Sequence, residues 1–521
     1  MMLKSHTYAL AAIAVTFFLS GCGVNPVTNK RELQLVSTSE EIAIGEKNYV
    51  PARQQQGGDY IIDPALTAYV QSVGNKLAAA SDRDLPYEFV VLNDSTPNAW
   101  AMPGGKIAFN RGLLYELNSE AELAAVLSHE IVHAAARHGA QSMESNMLLQ
   151  GAVAAAGIAS QDSDYSNLIV GGAQLSSQLI SHKFGRDDES EADQYGMIYM
   201  QRAGYDPRAA VTLQETFVRL SNGGQSDFIN GLFASHPPSA ERVAANKATL
   251  EGLGEGGEWG REIYAIKVGK LKASKPAYQA YDAGKQALSK GDIKNAAALA
   301  SKASKAVPRE ARFEELLGDV AMSQKNADQA LTHYRKAIRM QPEYFRPYVQ
   351  GGLALNSLGR TAEAEPMLKR SVELLPTATS FNLLGRIAEE KGDLNGAMQL
   401  YKVASDSKSN IGTDAKARLQ RLDMQRNPAK YLRATIDANS YGQLFAVVLN
   451  PTPWPVANVR VKVVHFNAQT KQPDNQTPSM LVAKRIESKK SGRVALKGIK
   501  VRSPSELKQY RVIIERVKLA K

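Results

Sequence analysis

The chain has 521 residues, of which 44% are hydrophobic and 22% are charged. These fractions are ordinary for a globular protein, so they exclude a wholly disordered chain, and the length suggests about three or four domains. The formal net charge is +11 at pH 7, and residues 430–521 hold 18 Lys or Arg against 5 Asp or Glu. The C-terminal segment therefore carries the whole excess. The single cysteine, Cys22, excludes an intramolecular disulfide and a cysteine-rich metal site.

The first 21 residues are typical of a secretory signal. Lys4 precedes an apolar run, residues 8–19, that is too short to span a bilayer. The sequence LSGC that ends at Cys22 resembles the lipobox of bacterial lipoproteins, which implies a cleaved signal at residues 1–21 and a lipid on Cys22. Glycine rather than aspartate at position 23 implies anchoring to the periplasmic face of the outer membrane. The alternative is an ordinary cleaved signal with a cysteine there by coincidence.

Residues 22–58 are predicted to form a lipidated tether followed by a first helix, and QQQGG at 54–58 is a break signal at the end of this segment. Residues 59–260 form the next predicted domain, in which helical periods alternate with a few strands. One strand is predicted at 87–92, and a second, Lys106–Asn110, follows a Pro-Gly-Gly turn. This domain is therefore expected to be mainly helical with a small β-sheet.

Residues 277–408 contain an internal repeat of 34 residues. Three sets of residues recur at this spacing: Pro308, Pro342 and Pro376; Gly284, Gly318 and Gly352; and Ala296, Ala330 and Ala364. The pattern resembles the tetratricopeptide repeat, in which each unit is a pair of antiparallel helices packed through small residues. A fourth unit, displaced by one residue, completes the predicted array. The resemblance implies a surface that docks clients or partner proteins, and the alternative is a non-repetitive helical bundle.

The last segment, residues 430–521, changes to β-branched runs separated by turns, which predicts a small β-sandwich-like domain. Its strands are expected at 444–449, 459–466, 494–496 and 510–517. The basic residues are predicted to cover a solvent-exposed face, and contact with anionic lipid or an acidic protein is the alternative. Nucleic acid is not an expected partner of an exported chain. Together the three bodies predict an α+β fold class.

The segment 118–138 predicts a helix that carries the chemistry. His129, Glu130 and His133 fit the H-E-x-x-H pattern. Residues four apart lie on one helical face, so both imidazoles can bind one metal ion while Glu130 reaches a water on that metal. Imidazole ligands suit zinc, and the pattern predicts one Zn²⁺ per chain with Glu130 as the general base. His138 lies five residues beyond His133 and is predicted to face away, at the surface or behind the ligands.

A catalytic zinc also needs a third protein ligand. The sequence ESEAD at residues 189–193 supplies carboxylates on another predicted helix, but spacing alone leaves both Glu189 and Glu191 as candidates. The strand-like Lys106–Asn110 offers a possible edge strand, so an extended substrate could pair with Gly105, Lys106, Ile107 and Ala108 through main-chain hydrogen bonds. The alternative for this strand is the centre of the sheet.

Four motifs in the same order resemble the HtpX/BepA group of gluzincin-like, membrane-associated zinc metallopeptidases. They are NAWAMPGG at 98–105, the H-E-x-x-H helix, the E-x-E-A-D segment and SHPP at 235–238, and the resemblance covers about residues 30–260. It implies that Glu189 is the third ligand and that Asp193 orients a ligand histidine. Glu191 is then a solvated charge or a charge near the start of its helix.

The resemblance also implies that His236 and Arg242 lie near the metal and assist the transition state. In BepA-like proteins this histidine can instead take the fourth zinc position and hold the enzyme latent. The simpler alternatives are a loop histidine that caps the next helix and a surface salt bridge for Arg242.

Two functions compete at this point. The first is a periplasmic zinc metalloendopeptidase, anchored to the outer membrane, that hydrolyses unfolded or misassembled envelope proteins and docks clients or the outer-membrane assembly machinery on its repeats. The second is a mostly latent peptidase that acts as a chaperone or scaffold. The intact ligand set and Glu130 favour the first, because a scaffold has no need of a catalytic base.

Overall fold

The computed structural model describes residues 22–155, 183–222 and 231–520. The chain divides into two compact units, one ending at Pro376 and the other spanning Thr377–Lys521. The predicted signal and the side chain that would carry the lipid lie outside the described residues. Among the residues that are described, no helix has both the length and the apolar character that a membrane crossing requires.

A three-stranded sheet lies in the first unit. Its strands are β3 (Glu88–Leu92), β4 (Ala99–Met102) and β5 (Lys106–Asn110), in the order β3-β5-β4. The turn between β4 and β5 needs glycine, because Gly104 and Gly105 have φ values of 78° and 82°. β5 pairs antiparallel with β4 on one side and parallel with β3 on the other.

The edge-strand prediction for Lys106–Asn110 is therefore wrong. Every residue of this strand is buried, and both of its neighbours are paired with it. The local pattern could not distinguish an edge from a centre, because the parallel partner β3 comes from an earlier part of the chain. The predicted substrate contacts at Gly105, Lys106, Ile107 and Ala108 are consequently not available to main-chain pairing.

The N-terminal residues pack on the same unit. Strand β1 (Cys22–Val24) pairs with β2 (Arg31–Leu33), and the helix Thr38–Gln55 follows. Asn25 and Tyr49 are buried, and Tyr49 donates a hydrogen bond to the carbonyl of Ile107 over 2.7 Å. The prediction of a tether is thus wrong for this segment, because its polar side chains find partners far along the chain.

Two helices frame the predicted site. The motif helix, Glu120–Ala135, begins at Ser119, whose hydroxyl accepts a hydrogen bond from the amide of Glu122 at 3.1 Å. The carboxylate helix, Arg186–Arg202, packs against it at Gly196, where a Cβ would lie 3.3 Å from the backbone nitrogen of His129. Other helices of this part are Pro64–Ala78, Arg111–Leu114, His138–Ala155, Arg208–Asn222, Leu232–Ser235 and Ala240–Leu253.

The repeats form antiparallel helix pairs, as the 34-residue period predicts. The second helix in each of the first three pairs ends two residues before a proline of the repeat, which is Pro308, Pro342 or Pro376. Close packing requires glycine at Gly318, where a Cβ would lie 2.5 Å from the ring of Tyr334. The pairs in the first unit are Arg261–Ser289 with Ile293–Ala306, Ala311–Ser323 with Ala327–Met340, and Arg346–Ser357 with Thr361–Leu374.

No linker separates the peptidase part from the first repeat. The 29-residue helix Arg261–Ser289 runs through both, and Tyr264 near its start donates a hydrogen bond to the carbonyl of Leu114 at 2.7 Å. Its side chains share one hydrophobic core with the motif helix. Residues 261–276, which the sequence assigned to neither domain, are therefore part of one continuous helix that packs in the core of the peptidase part.

The second unit contains the fourth helix pair, Ala378–Glu390 with Leu394–Ser405, and the helix Asn410–Arg426. Its strands are β6 (Arg433–Ala438), β7 (Gln443–Leu449), β8 (Val456–Phe466), β9 (Pro473–Gln476), β10 (Met480–Ile486), β11 (Ser491–Lys500) and β12 (Tyr510–Leu519). They form sheets of the orders β11-β7-β6 and β10-β8-β12, in which β9 also pairs with β8, and the sheets enclose one apolar core. Short helices lie at Pro428–Tyr431 and Pro504–Leu507. The α+β fold class is confirmed, although β6, β9 and β10 were not predicted.

Candidate active site

Four metal-ligating side chains meet in the first unit: His129, His133, Glu189 and His236. The first two lie one turn apart on the motif helix, the third lies on the carboxylate helix, and the fourth follows the short helix Leu232–Ser235. Three of the four are almost fully buried, and side chains of this kind are rarely buried without partners. The structure therefore brings the two predicted histidines and the carboxylate chosen by resemblance to one point.

Four of the distances between the donor atoms are close to those expected for ligands of one zinc ion. Nε2 of His133 lies 3.1 Å from Nε2 of His129 and 3.4 Å from Oε1 of Glu189. Nδ1 of His236 lies 3.3 Å from Nε2 of His129 and 2.8 Å from Oε1 of Glu189. Ligands about 2.1 Å from a tetrahedral zinc lie about 3.4 Å from one another. A zinc ion could therefore be bound by Nε2 of His129 and His133, together with Oε1 of Glu189 and Nδ1 of His236.

Asp193 and Arg242 support the ligands. Oδ1 of Asp193 lies 3.0 Å from Nδ1 of His129, which leaves Nε2 of that ring for the metal. Arg242 donates two hydrogen bonds to Asp193, at 2.7 and 2.8 Å, and its Nη1 lies 2.7 Å from Oε2 of Glu189. The side chain of Arg242 is only 11% exposed and is not part of a surface salt bridge, and it touches a ligand and the carboxylate that orients another ligand.

The electrostatics of the buried site suit both metal binding by His133 and proton transfer by Glu130. Burial raises the pKa of Glu130, and burial lowers the pKa of His133 well below its usual value. The pKa of Asp193 is lowered, because Arg242 and the hydrogen bond from His129 outweigh the opposing effect of burial. A neutral His133 is the form that binds metal, and a carboxylate with a raised pKa suits a general base.

Glu130 lies beside the cluster without being part of it. Its side chain is fully buried, and among the described residues neither of its oxygens has a hydrogen-bond partner. Nε2 of His236 lies 3.5 Å from its Oε1. Buried carboxylates almost always have partners, so this one marks a functional position.

Two residues lie behind His133, and His138 takes the second of its two predicted places, behind the ligands, although it does not face away. His138 is buried, and its Nδ1 lies 2.8 Å from Nδ1 of His133. Its Nε2 lies 3.3 Å from Oε1 of Glu191, which is therefore not a solvated charge. The reason is Arg137, whose φ of 67° reverses the chain after the motif helix. No local pattern signals a left-handed arginine, so sequence reasoning had no means of finding this contact.

Two further features surround the site. The ring of Phe184 stacks on His133, with centroids 3.9 Å apart and an interplanar angle of 22°. A cavity of about 50 Å³ lies next to His129 and Glu130. Its apolar lining consists of Ala125, Val126, Ala210, Leu213, Phe217 and Leu232. Residues 105–108 line neither this cavity nor the cluster.

Comparisons with known proteins agree with this geometry. The model of "Peptidase family M48" matches residues 64–250, and that of the tetratricopeptide repeat matches 281–345 and 350–410. The chain is 26% identical over 432 residues to the "Beta-barrel assembly-enhancing protease" of Escherichia coli, covering 71% of this chain and 86% of that protein. It is 32% identical over 182 residues to "Metalloprotease YcaL" of Escherichia coli, covering 34% and 66%.

A third relative decides the family. The chain is 31% identical over 241 residues to the "Mitochondrial metalloendopeptidase OMA1" of Schizosaccharomyces pombe, which covers 45% of this chain and 68% of that protein. The matched family segment contains all four side chains of the buried cluster. On this similarity and this site, the chain belongs to peptidase family M48 and is a metalloendopeptidase.

Proposed function

We propose that the protein is a periplasmic zinc metalloendopeptidase, with one Zn²⁺ per chain, that hydrolyses unfolded or misassembled envelope proteins. The observation that carries the proposal is the buried group of His129, His133, Glu189 and His236 beside Glu130, whose oxygens have no hydrogen-bond partner among the described residues. A scaffold has no use for a buried carboxylate that lacks hydrogen-bond partners, because its burial costs stability.

The chain's own residues divide the chemistry among them. Zinc held by His129, His133 and Glu189 would supply a Lewis acid that polarises a peptide carbonyl and acidifies water. Glu130 accepts a proton from the attacking water and passes it to the leaving amine, a role that its raised pKa favours. Asp193 fixes the tautomer of His129, and Arg242 holds Asp193 and Glu189 in place. Arg242 is thus a positioning residue.

We assign the main-chain substrate contact to β4 rather than to β5. Among the described residues β4 pairs with β5 alone, and it packs against the motif helix. The amide of Leu232 donates to the carbonyl of Pro97 at 2.9 Å, which links the start of β4 to the loop that carries His236. A substrate strand added to this edge would lie near the site and would be bound with little sequence preference. The apolar cavity next to Glu130 would accept a small apolar side chain.

The location and partners belong to the same proposal. Lipidation of Cys22 would anchor the protein to the outer membrane, and the helix pairs would dock clients or the outer-membrane assembly machinery. The relative named "Beta-barrel assembly-enhancing protease" supports this direction, because its match extends beyond the peptidase part into the repeats. Replacement of Cys22 by serine should release the protein from membranes, whereas an unchanged membrane fraction would contradict the anchor.

A second candidate function has one observation in its favour. Nδ1 of His236 lies at the fourth corner of the cluster, where a catalytic site keeps an open position. With this corner closed, the protein would be a latent peptidase that works as a chaperone or scaffold through its repeats. This arrangement can also be the resting form of an active enzyme.

One experiment separates the two functions. Protein purified without added metal should contain about one zinc per chain. It should cleave an unfolded test protein, and Glu130→Gln should retain zinc but lose cleavage. Glu46→Gln, at an exposed position of the helix Thr38–Gln55, is the matched control and should cleave like the wild type. If wild type and Glu130→Gln are equally inactive and both rescue a deletion strain, the scaffold function is correct.

A further inference from the structure

The second nitrogen of each motif histidine has a different kind of partner. Nδ1 of His129 faces the carboxylate of Asp193 directly. Nδ1 of His133 instead faces Nδ1 of a second imidazole, that of His138, at 2.8 Å. Two facing imidazole nitrogens form a hydrogen bond only if one carries the proton and the other does not.

The metal geometry decides which nitrogen carries the proton. Nε2 of His133 lies in the cluster, so in a neutral metal ligand the proton is on Nδ1. Nδ1 of His138 is then the acceptor, and its own proton is on Nε2. That nitrogen lies 3.3 Å from Oε1 of Glu191, which accepts this proton as a hydrogen bond. The order His133, His138, Glu191 is therefore a directional chain of donors that ends on a carboxylate.

Burial and packing make this chain rigid. The side chains of His133 and His138 are almost inaccessible to solvent, and that of Glu191 is 15% exposed. Phe184 stacks on one face of the His133 ring. This stacking restricts rotation of the His133 ring away from the orientation in which it contacts His138. In the interior a hydrogen bond between such groups is stronger than in water.

We propose that His138 and Glu191 are positioning residues for the metal, acting on His133 as Asp193 acts on His129. The hydrogen bond from His133 fixes its tautomer and ring orientation, and the carboxylate of Glu191 makes the His138 ring a better acceptor. The inference rests on the proposed binding of zinc to His129, His133 and Glu189. It assigns a function to the left-handed turn at Arg137, which brings His138 back onto the ligand.

The N-terminal hairpin closes the far end of the chain of donors. Asn25 is fully buried, and its Nδ2 donates to Oε1 of Glu32 at 3.0 Å and to the carbonyl of Ala136 at 3.2 Å. The same nitrogen approaches Oε1 of Glu191 at 3.4 Å. Nζ of Lys30 lies 4.0 Å from Oε2 of the same carboxylate. The hairpin that contains Asn25 thus contacts the carboxylate that receives His138.

The test compares two substitutions of His138 with different hydrogen-bonding capacity. His138→Phe keeps a planar ring but removes the acceptor, whereas His138→Gln can accept from His133 and donate to Glu191. We expect His138→Phe to weaken zinc affinity by about 10- to 100-fold, as is typical when a group behind a ligand is lost. His138→Gln should remain close to the wild type. Zinc affinity is measured by competition with a chromophoric chelator, together with the melting temperature of each metal-free protein.

Glu191 provides a second variant if His138→Phe does not fold. Glu191→Leu has a similar size but no acceptor, and it should also weaken zinc affinity, by about tenfold. Asp187→Asn changes an exposed carboxylate on the same helix and is the matched control, with wild-type affinity expected. Asn25→Asp replaces the donor that faces Glu191 by an acceptor. This variant should also bind zinc more weakly than the wild type.

The outcomes separate this inference from the proposed function. If the wild type binds no zinc, the proposed function fails. If the wild type binds zinc and Glu191→Leu or a folded His138→Phe binds it equally well, the positioning role of His138 and Glu191 is overturned and the proposed function is not affected. Equal losses in His138→Gln and His138→Phe would mean that ring packing, and not the hydrogen bond, is what matters. That result would also overturn the proposal.

Discussion

Nε2 of His236 lies 3.5 Å from Oε1 of Glu130, and both side chains are buried. The other nitrogen of the same ring lies among the ligand atoms. The imidazole therefore lies between the proposed base and the other ligand atoms. With zinc bound it would occupy the fourth position, as the latent form of the proposed function requires.

Removal of this imidazole should open the site. We expect His236→Ala to raise the rate of hydrolysis of an unfolded test protein several-fold, because the fourth corner becomes free for water. The double variant Glu130→Gln with His236→Ala should be inactive, which would assign the gain to the same base. A fall in activity for His236→Ala alone would instead mean that His236 assists the chemical step.

Arg242 is expected to be essential for the stability of the metal-free site. Arg242→Ala would leave the carboxylates of Glu189 and Asp193 buried without their cation, and we expect a loss of about 3–5 kcal/mol in the free energy of unfolding. Denaturant unfolding of the metal-free protein measures this loss. Arg202→Ala removes a partly exposed pair with Asp82 and should cost less than about 1 kcal/mol. Similar losses in both variants would contradict the assignment.

Glu41 is expected to anchor the N-terminal helix to the end of the motif helix. Its buried carboxylate accepts hydrogen bonds from Arg83, at 2.9 Å, and from Arg137. Glu41→Gln should lower the free energy of unfolding by about 3 kcal/mol, because two buried guanidinium groups lose their shared anion. Glu46→Gln lies on the exposed face of the same helix and should stay within about 0.5 kcal/mol of the wild type. Thermal or denaturant unfolding of both variants provides the comparison.

Glu314 in the second repeat should make the first unit sensitive to acid. Burial opposes ionisation of this carboxyl, but hydrogen bonds from His333, Lys336 and Ser304 outweigh it and lower its pKa from 4.5 to about 2. A lowered pKa stabilises the folded state above the unfolded value, and this contribution is lost as the pH falls from about 4.5 to about 2.

The corresponding variant is Glu314→Gln. The difference in unfolding free energy between wild type and variant should reach about 3 kcal/mol above pH 5 and shrink toward pH 2. Glu373→Gln alters an exposed carboxylate of the third repeat and should keep the slope of the wild type. A difference that does not change with pH would contradict the ionic origin of the effect.

Local periodicity was sufficient to determine a large part of this protein. The spacing of His129 and His133 places both on one helical face wherever the helix lies, and the 34-residue recurrence of small residues and prolines produces helix pairs without knowledge of the rest of the chain. The identity of the third ligand was different, because spacing left Glu189 and Glu191 open and only resemblance distinguished them.

Contacts between distant segments decided the rest. The parallel pairing with β3 put β5 at the centre of its sheet, and the left-handed Arg137 turned His138 back onto a ligand. The N-terminal residues became part of the core because Asn25 and Tyr49 bond to atoms far along the chain. His236 likewise joined the cluster through a contact with Glu189, which lies 47 residues earlier in the chain. Such contacts depend on where whole elements meet in space, and this information is absent from the pattern of residues within any one element.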